Sequence, residues 1–179
     1  MQPSYHTLEC VQGDLTEQRV DAIVNAASRE LRGGGGVDGA IHRAAGPELL
    51  EELRARYPAG CETGEVRPTA GHRLAARHVF HAVGPIYRDG RSGESEALAA
   101  CHASALALCA EHDVRTLAFP AISCGVYGYP WEAAAEIALR TTARELLQYP
   151  SLERVRFVLF GSELLTVFQR TLARLRSEA

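Results

Sequence analysis

Short apolar and β-branched runs alternate with longer stretches of helical periodicity along these 179 residues. That alternation predicts an α/β domain with helices packed on both faces of a sheet. Two local patterns support it. The run Val20 to Val24 is nearly all apolar, as a strand covered on both sides must be. Near the other end, Leu165, Phe168, Leu172 and Leu175 recur at spacings of three and four, one apolar stripe suited to lying against a sheet. No repeat and no linker composition divides the chain, so residues 1–179 are expected to form one domain.

The elements follow in order. Thr7 to Gln12 and Val20 to Val24 read as strands, the second as a central one. A glycine run then feeds a helix over Asp38 to Ala45. Pro47 suits the first turn of a second helix, Pro47 to Arg56, because its missing N–H would be unpaired there anyway. No element is predicted from there to the strand Val79 to Val83. The segment Arg88 to Gly93, rich in Gly, Arg and Asp, reads as a solvated loop. A helix over Ser95 to Glu111, a strand over Thr116 to Pro120, a helix over Trp131 to Leu147, a strand over Val155 to Phe160 and a helix over Glu163 to Arg176 complete the pattern.

Composition narrows the function classes. The formal charge is −3, from 19 Lys plus Arg against 22 Asp plus Glu. No global basic field recruits nucleic acid or an acidic membrane surface, so an anionic ligand must be gripped locally. The five cysteines (Cys10, Cys61, Cys101, Cys109, Cys124) are odd in number and scattered without a CxxC pair, which favours reduced thiols over a disulfide framework and argues against zinc. Met1 to Tyr5 carries no basic segment or apolar core of a leader, and no stretch of 18 apolar residues occurs. A soluble, cytoplasmic protein is expected.

The most informative segment is Gly33-Gly34-Gly35-Gly36-Val37-Asp38-Gly39. Glycines delivered onto a helix start leave amides uncovered, and converging N–H groups with the helix dipole make an anion cradle. Asp38 reads either as the helix N-cap or as a general base beside a bound diphosphate. A second glycine-bearing loop, Phe119 through Pro130, also leaves a strand and enters a helix. Two such loops point to one elongated ligand with a diphosphate held from both sides. Neither matches GxxxxGK[ST], and no GxGxxG opens a βαβ unit with an acid at the required distance, which argues against triphosphatase and dinucleotide oxidoreductase chemistry. Asp14, in Gly13-Asp14-Leu15-Thr16 past the first strand, is either a turn-forming acceptor or a partner for an exocyclic amine. Asn25, closing the second strand, is either a loop organiser or a ligand contact.

With these residues in hand the chain resembles the macrodomains, and within them the MacroD-type ADP-ribose hydrolases. The resemblance rests on Gly13-Asp14-Leu15-Thr16, Asp21 through Ala27, Gly33 through Gly46, His81-Ala82-Val83-Gly84-Pro85 and Pro120 through Pro130, five segments in one order over nearly the whole chain. It implies a three-layer α/β/α domain around a mixed, mostly parallel sheet, with ADP-ribose above the strand ends. Asp14 would then meet the adenine amine and the Leu15 backbone a ring nitrogen. Phe160 would pack on the adenine face, its alternative being a core aromatic. Gly35, Gly36 and Val37 would line the diphosphate and distal ribose from one side, with Ser123, Cys124, Gly125, Val126 and Tyr127 opposite. Asn25 would hold the distal ribose. Asp38 would direct a water at the ester joining that ribose to a protein Asp or Glu. An ordinary carboxylate pKa near 3.9 keeps it ionised but weak as a base. No metal or other cofactor is implied. ADP-ribosylated proteins and O-acetyl-ADP-ribose are the implied substrates.

Two positions depart from the family pattern. Ser28 stands where MacroD-type enzymes usually carry a second asparagine, ten residues before the aspartate, and its single hydroxyl fixes ribose or water less completely. Cys124 stands where a Thr or Ser is usual, and reads either as an acidic thiol or as a buried inert one. The competing class is a reader module that binds ADP-ribosylated proteins without cleaving them. RNA or poly(ADP-ribose) binding gains nothing from a net acidic chain with few interleaved basic and aromatic residues. Poly(ADP-ribose) glycohydrolase chemistry is disfavoured by the lack of paired glutamates in a Gly-rich loop. His42, His78 and His81 are expected to be packing residues.

Overall fold

The computed structural model describes residues 3–179, so Met1 and Gln2, the start of the segment searched for a leader, lie outside the described residues. Six strands, β1 (Leu8–Gln12), β2 (Ala22–Ala26), β3 (Val66–Ala70), β4 (His78–Ala82), β5 (Thr116–Phe119) and β6 (Arg154–Leu159), form one sheet in the order β1-β6-β5-β2-β4-β3. All pairings are parallel except β3 with β4, which is antiparallel. Five α-helices, α1 (Gly36–Ala45), α2 (Pro47–Arg56), α3 (Glu94–Glu111), α4 (Trp131–Glu145) and α5 (Ser162–Glu178), cover the two faces. The α/β/α architecture with a mixed, mostly parallel sheet is therefore as expected.

The inner strands carry apolar side chains on both faces because alternate residues enter two different cores. Val24, Phe80, Leu117, Phe119, Val155 and Phe157 join the core beneath α3, α4 and α5. Ile23, Val79, Ala118 and Val158 join the one beneath α1 and α2, with Ile41, Leu49 and Leu53. Fully burying side chains of this size stabilises by about 1.5–3 kcal/mol each. On α5, Phe168, Leu172 and Leu175 are buried and Leu165 is partly buried against them, so the predicted stripe faces inward.

Three readings need correction. β3 was not expected, because Val66-Arg67-Pro68-Thr69-Ala70 contains proline and lacks a two-sided apolar run. It is an edge strand, where a missing N–H costs no ladder bond. The Arg88 to Gly93 segment is not simply solvated. The Glu94 carboxylate, almost fully buried, accepts hydrogen bonds from the amides of Arg88, Asp89, Gly90 and Ser92 at 2.6–3.2 Å, and these hold its pKa down to about 2 against the desolvation that pushes it up. Finally, α1 begins at Gly36 and not at Asp38.

The sheet opens where it matters. β2 stays paired with β4 through Ala26, but its pairing with β5 covers only Ala22 with Leu117 and Ile23 with Ala118. Beyond that point the two strands part, and the loops that follow them leave toward opposite faces. A crevice at the carboxyl ends of diverging parallel strands is the ligand site such sheets provide. No helix among the described residues is long and apolar enough to cross a membrane.

Candidate functional site

A cleft of about 930 Å³ occupies this crevice, within the roughly 300–1,000 Å³ typical of small-ligand pockets. Its walls bring together Asp14, Leu15, Ser28, Gly35, Gly36, Val37, Asp38, Ser123, Cys124, Gly125, Val126, Tyr127 and Phe160, every site residue expected from the sequence except Asn25.

One wall is the glycine loop. Gly33 and Gly36 have φ of 80° and 57°, the left-handed region that glycine enters without steric cost. Gly39 is required for a different reason: a Cβ there would collide with the carbonyl oxygen of Gly34, so its absence lets the loop lie on α1. The first-turn amides of α1, Gly36, Val37 and Asp38, have no acceptor within the helix, as at any helix start. They find none elsewhere among the described residues.

The opposite wall is the loop after β5. Ser123 holds φ 65°, a left-handed conformation costly for a residue with a Cβ. Its hydroxyl donates to the Pro85 carbonyl at 2.7 Å, and its own carbonyl accepts from the Tyr129 amide at 2.9 Å. The Trp131 indole donates to the Cys124 carbonyl at 3.1 Å, and the Tyr87 amide to that of Tyr127 at 2.9 Å. With its carbonyls thus occupied, the loop leaves the amides of Gly125, Val126 and Tyr127 without an acceptor among the described residues. The two loops on opposite walls of the cleft therefore each carry a row of uncommitted N–H groups, the kind of group that binds an anion.

Asp38 lies at the cleft floor and is 6% exposed. It is the third residue of α1 and does not cap it; Gly35 occupies the N-cap position and offers no side chain, so the capping reading fails. The carboxylate instead accepts from Asn25 Nδ2 at 2.8 Å and lies 3.4 Å from His42 Nε2. Burial raises its pKa above the ordinary carboxylate value, opposed by the Asn25 hydrogen bond and by His42. Asp38 is thus a stronger base than an unperturbed aspartate.

Asn25 is fully buried and does not line the cleft. Its contact is with Asp38 and, at 3.1 Å, with His81 Nδ1. His42 and His81, expected to be packing residues, belong to this cluster. The Asp38-to-His42 spacing of four within one helix was the available signal for the first; nothing local marked the second.

Asp14 serves its turn: Oδ1 accepts from the Thr16 amide at 2.8 Å and hydroxyl at 2.7 Å, while Oδ2 takes no hydrogen bond among the described residues. Phe160 follows β6 and is 84% exposed at the cleft rim, so the core-aromatic alternative is excluded. Cys124 is buried, and desolvation pushes its thiol up to about 12, which makes it inert. Ser28 lines the cleft, as does Arg43, an exposed cation that sequence reasoning missed.

The Macro domain family model matches residues 24–138. A Macro domain-containing protein of Chlorobaculum tepidum is 50% identical over 171 residues, covering 96% of this chain and 98% of that one. The O-acetyl-ADP-ribose deacetylase of Salmonella gallinarum is 46% identical, covering 93% and 94%. The Oceanobacillus iheyensis macrodomain solved with ADP superposes with a TM-score of 0.90 at 43% identity, covering 96% of this chain and 93% of that one. By the matched model, the extended identities and the shared fold, this chain belongs to the Macro domain family.

Proposed function

We propose that the cleft binds ADP-ribose and hydrolyses an ester on its distal ribose, the acyl group being a protein Asp or Glu side chain or an acetyl group. The observation that carries this reading is the buried, singly held carboxylate of Asp38 at the floor of a cleft walled by two rows of free amides. The structure solved with ADP and the relative named as an O-acetyl-ADP-ribose deacetylase support the same ligand class.

In this reading the diphosphate lies between the Gly35 to Val37 and Gly125 to Tyr127 amides, where charge-assisted hydrogen bonds are worth about 1.5–3 kcal/mol each. Asp14 Oδ2 accepts from the adenine amine, the Leu15 backbone meets a ring nitrogen and Phe160 stacks on the ring. Asp38 takes a proton from water as the oxygen adds to the acyl carbonyl. Collapse expels the ribose oxygen, which recovers that proton, and the acyl group leaves as a carboxylic acid that ionises at neutral pH. Loop amides placed beforehand cost no reorganisation as charge develops. Ser28 and Asn25 set the distal ribose and Asp38 respectively.

The test is incubation with a target mono-ADP-ribosylated on glutamate and, separately, with O-acetyl-ADP-ribose, with ADP-ribose affinity measured for wild type and Asp38→Ala. Wild type should release both acyl groups, and the variant should bind without releasing either. Tight binding by wild type with no release would make the domain a reader.

A further inference from the structure

Thr69, Asn25 and His81 are each at most 2% exposed, and His81 bonds to both of the others in the interior beneath α1. The sheet register brings them together. Asn25 and His81 are direct partners on the parallel strands β2 and β4. Thr69 pairs with Val79 on the antiparallel edge strand β3, which makes it the diagonal neighbour of His81 on the same face. Asp38 reaches this row from α1 through Asn25 Nδ2 at 2.8 Å.

Donor and acceptor chemistry leaves the chain one arrangement. The Asn25 amide nitrogen carries two hydrogens and no acceptor lone pair. One hydrogen goes to Asp38 Oδ1, so His81 Nδ1, 3.1 Å away, must accept the other. His81 is then protonated at Nε2, which donates to Thr69 Oγ1 at 2.9 Å. The Thr69 hydroxyl hydrogen goes to the Ala70 carbonyl at 3.2 Å. Each member has one hydrogen-bonding state, and the first settles the last. At the other end Asp38 Oδ1 is occupied, while Oδ2 lies toward Gly34 of the glycine loop, where a Cβ on Gly34 would be 3.5 Å from it.

We propose that Thr69 and His81 are positioning residues which, through Asn25, hold Asp38 with Oδ1 engaged and Oδ2 presented to the cleft as the base. The inference rests on the hydrolytic reading of the cleft for its kinetic consequence only. Burial keeps His81 neutral, with its pKa down to about 3, so the tautomer set by the Asn25 amide is not replaced by the imidazolium in the physiological range. The titratable group beside Asp38 itself, His42, lies on Asp38's own helix and is outside the hydrogen-bonded relay; Arg43 lines the same cleft.

The experiment compares wild type, Thr69→Val and Thr69→Ser. Three quantities are read: the 15N spectrum of the His81 ring, the 13Cγ titration of Asp38 without substrate, and kcat, KM and ADP-ribose Kd with O-acetyl-ADP-ribose. Wild type should show His81 protonated at Nε2 alone. Thr69→Val removes the acceptor, loosens the Asn25 hydrogen bond and should move the Asp38 midpoint up. It should lower kcat by about tenfold, the worth of one buried hydrogen bond, with Kd unchanged. Thr69→Ser, which keeps the hydroxyl, should restore both. A His81 ring protonated at Nδ1 overturns the relay. So does a Thr69→Val protein with wild-type Asp38 titration, or a Thr69→Ser protein as impaired as the valine variant. The titration and the ring spectrum need no turnover, so an inactive wild type would sink the hydrolytic reading while leaving the relay decided by these spectra.

Discussion

Replacing His102 by leucine should remove about half of the acid lability that two buried histidines impose on this fold. His102 lies on α3 with its ring 4.9 Å from that of Phe119 and 6.1 Å from that of Phe157. Nδ1–H donates to the Leu98 carbonyl at 2.8 Å, and Nε2 has no partner among the described residues. Burial holds the pKa down to about 4, against an ordinary value of 6.5. A depressed histidine pKa means that, below 6.5, the unfolded chain binds a proton that the folded chain refuses. Stability is then full above pH 6.5, falls by about 1.4 kcal/mol per pH unit down to 4, and is flat below. At pH 5 the loss from His102 is about 2 kcal/mol. His81, whose pKa lies at about 3, adds a similar loss at pH 5. The two together remove about 4 kcal/mol from a total of the usual 5–15. Leucine has no proton to take up and suits the aromatic surroundings. The assay is urea unfolding of wild type and His102→Leu at pH 7.5 and pH 5.0. The variant should lose about 2 kcal/mol less between the two pH values, or show a fall in Tm about 4–8 °C smaller. Equal losses in the two proteins would refute the reasoning.

Other expectations concern the cleft and its supports. Phe160→Ala should weaken ADP-ribose binding by about 1–3 kcal/mol, the worth of base stacking, and leave Tm unchanged because the ring is exposed; calorimetric titration and a melting curve decide it. Gly39→Ala should cost about 1–3 kcal/mol of stability through the collision with Gly34, and should also weaken ADP-ribose binding. Gly35→Ala, whose Cβ meets nothing within 4 Å, should keep the wild-type Tm, so paired melting curves separate loop displacement from mere loss of a glycine. Glu94 has a depressed pKa, so its contribution is present above the ordinary glutamate range and lost as pH falls toward 2. Glu94→Gln should therefore speed hydrogen exchange at the Asp89 and Gly90 amides at neutral pH, and unchanged protection there would contradict the role assigned to the carboxylate.

Periodicity and glycine placement were enough to read most of this protein from its residues. Both faces of the inner strands are covered, so those strands carry apolar residues on both sides; α5 touches the sheet along one line, so its apolar residues fall at spacings of three and four. The two glycine-bearing loops announced an anion site, since uncovered amides before a helix have few other uses. What escaped was non-local. β3 is an edge strand with a proline, so it carries no pattern that distinguishes it from a loop until β4 pairs with it.

The sequence by itself determined the layering, the position of both loops and the identity of Asp38 as the acid beside them, because those depend on neighbours within a turn or a strand. Only the tertiary structure decided what Asp38 touches beyond its own helix. Its partner Asn25 stands 13 residues before it and 56 before His81, which Asn25 also contacts, and Thr69 stands 12 residues from His81 across a hairpin. Register between strands set those contacts; burial then raised the Asp38 pKa and kept His81 neutral, and the Asn25 amide fixed its tautomer. Such shifts come from desolvation and from partners brought in by folding, and neither is written in the spacing of residues along the chain.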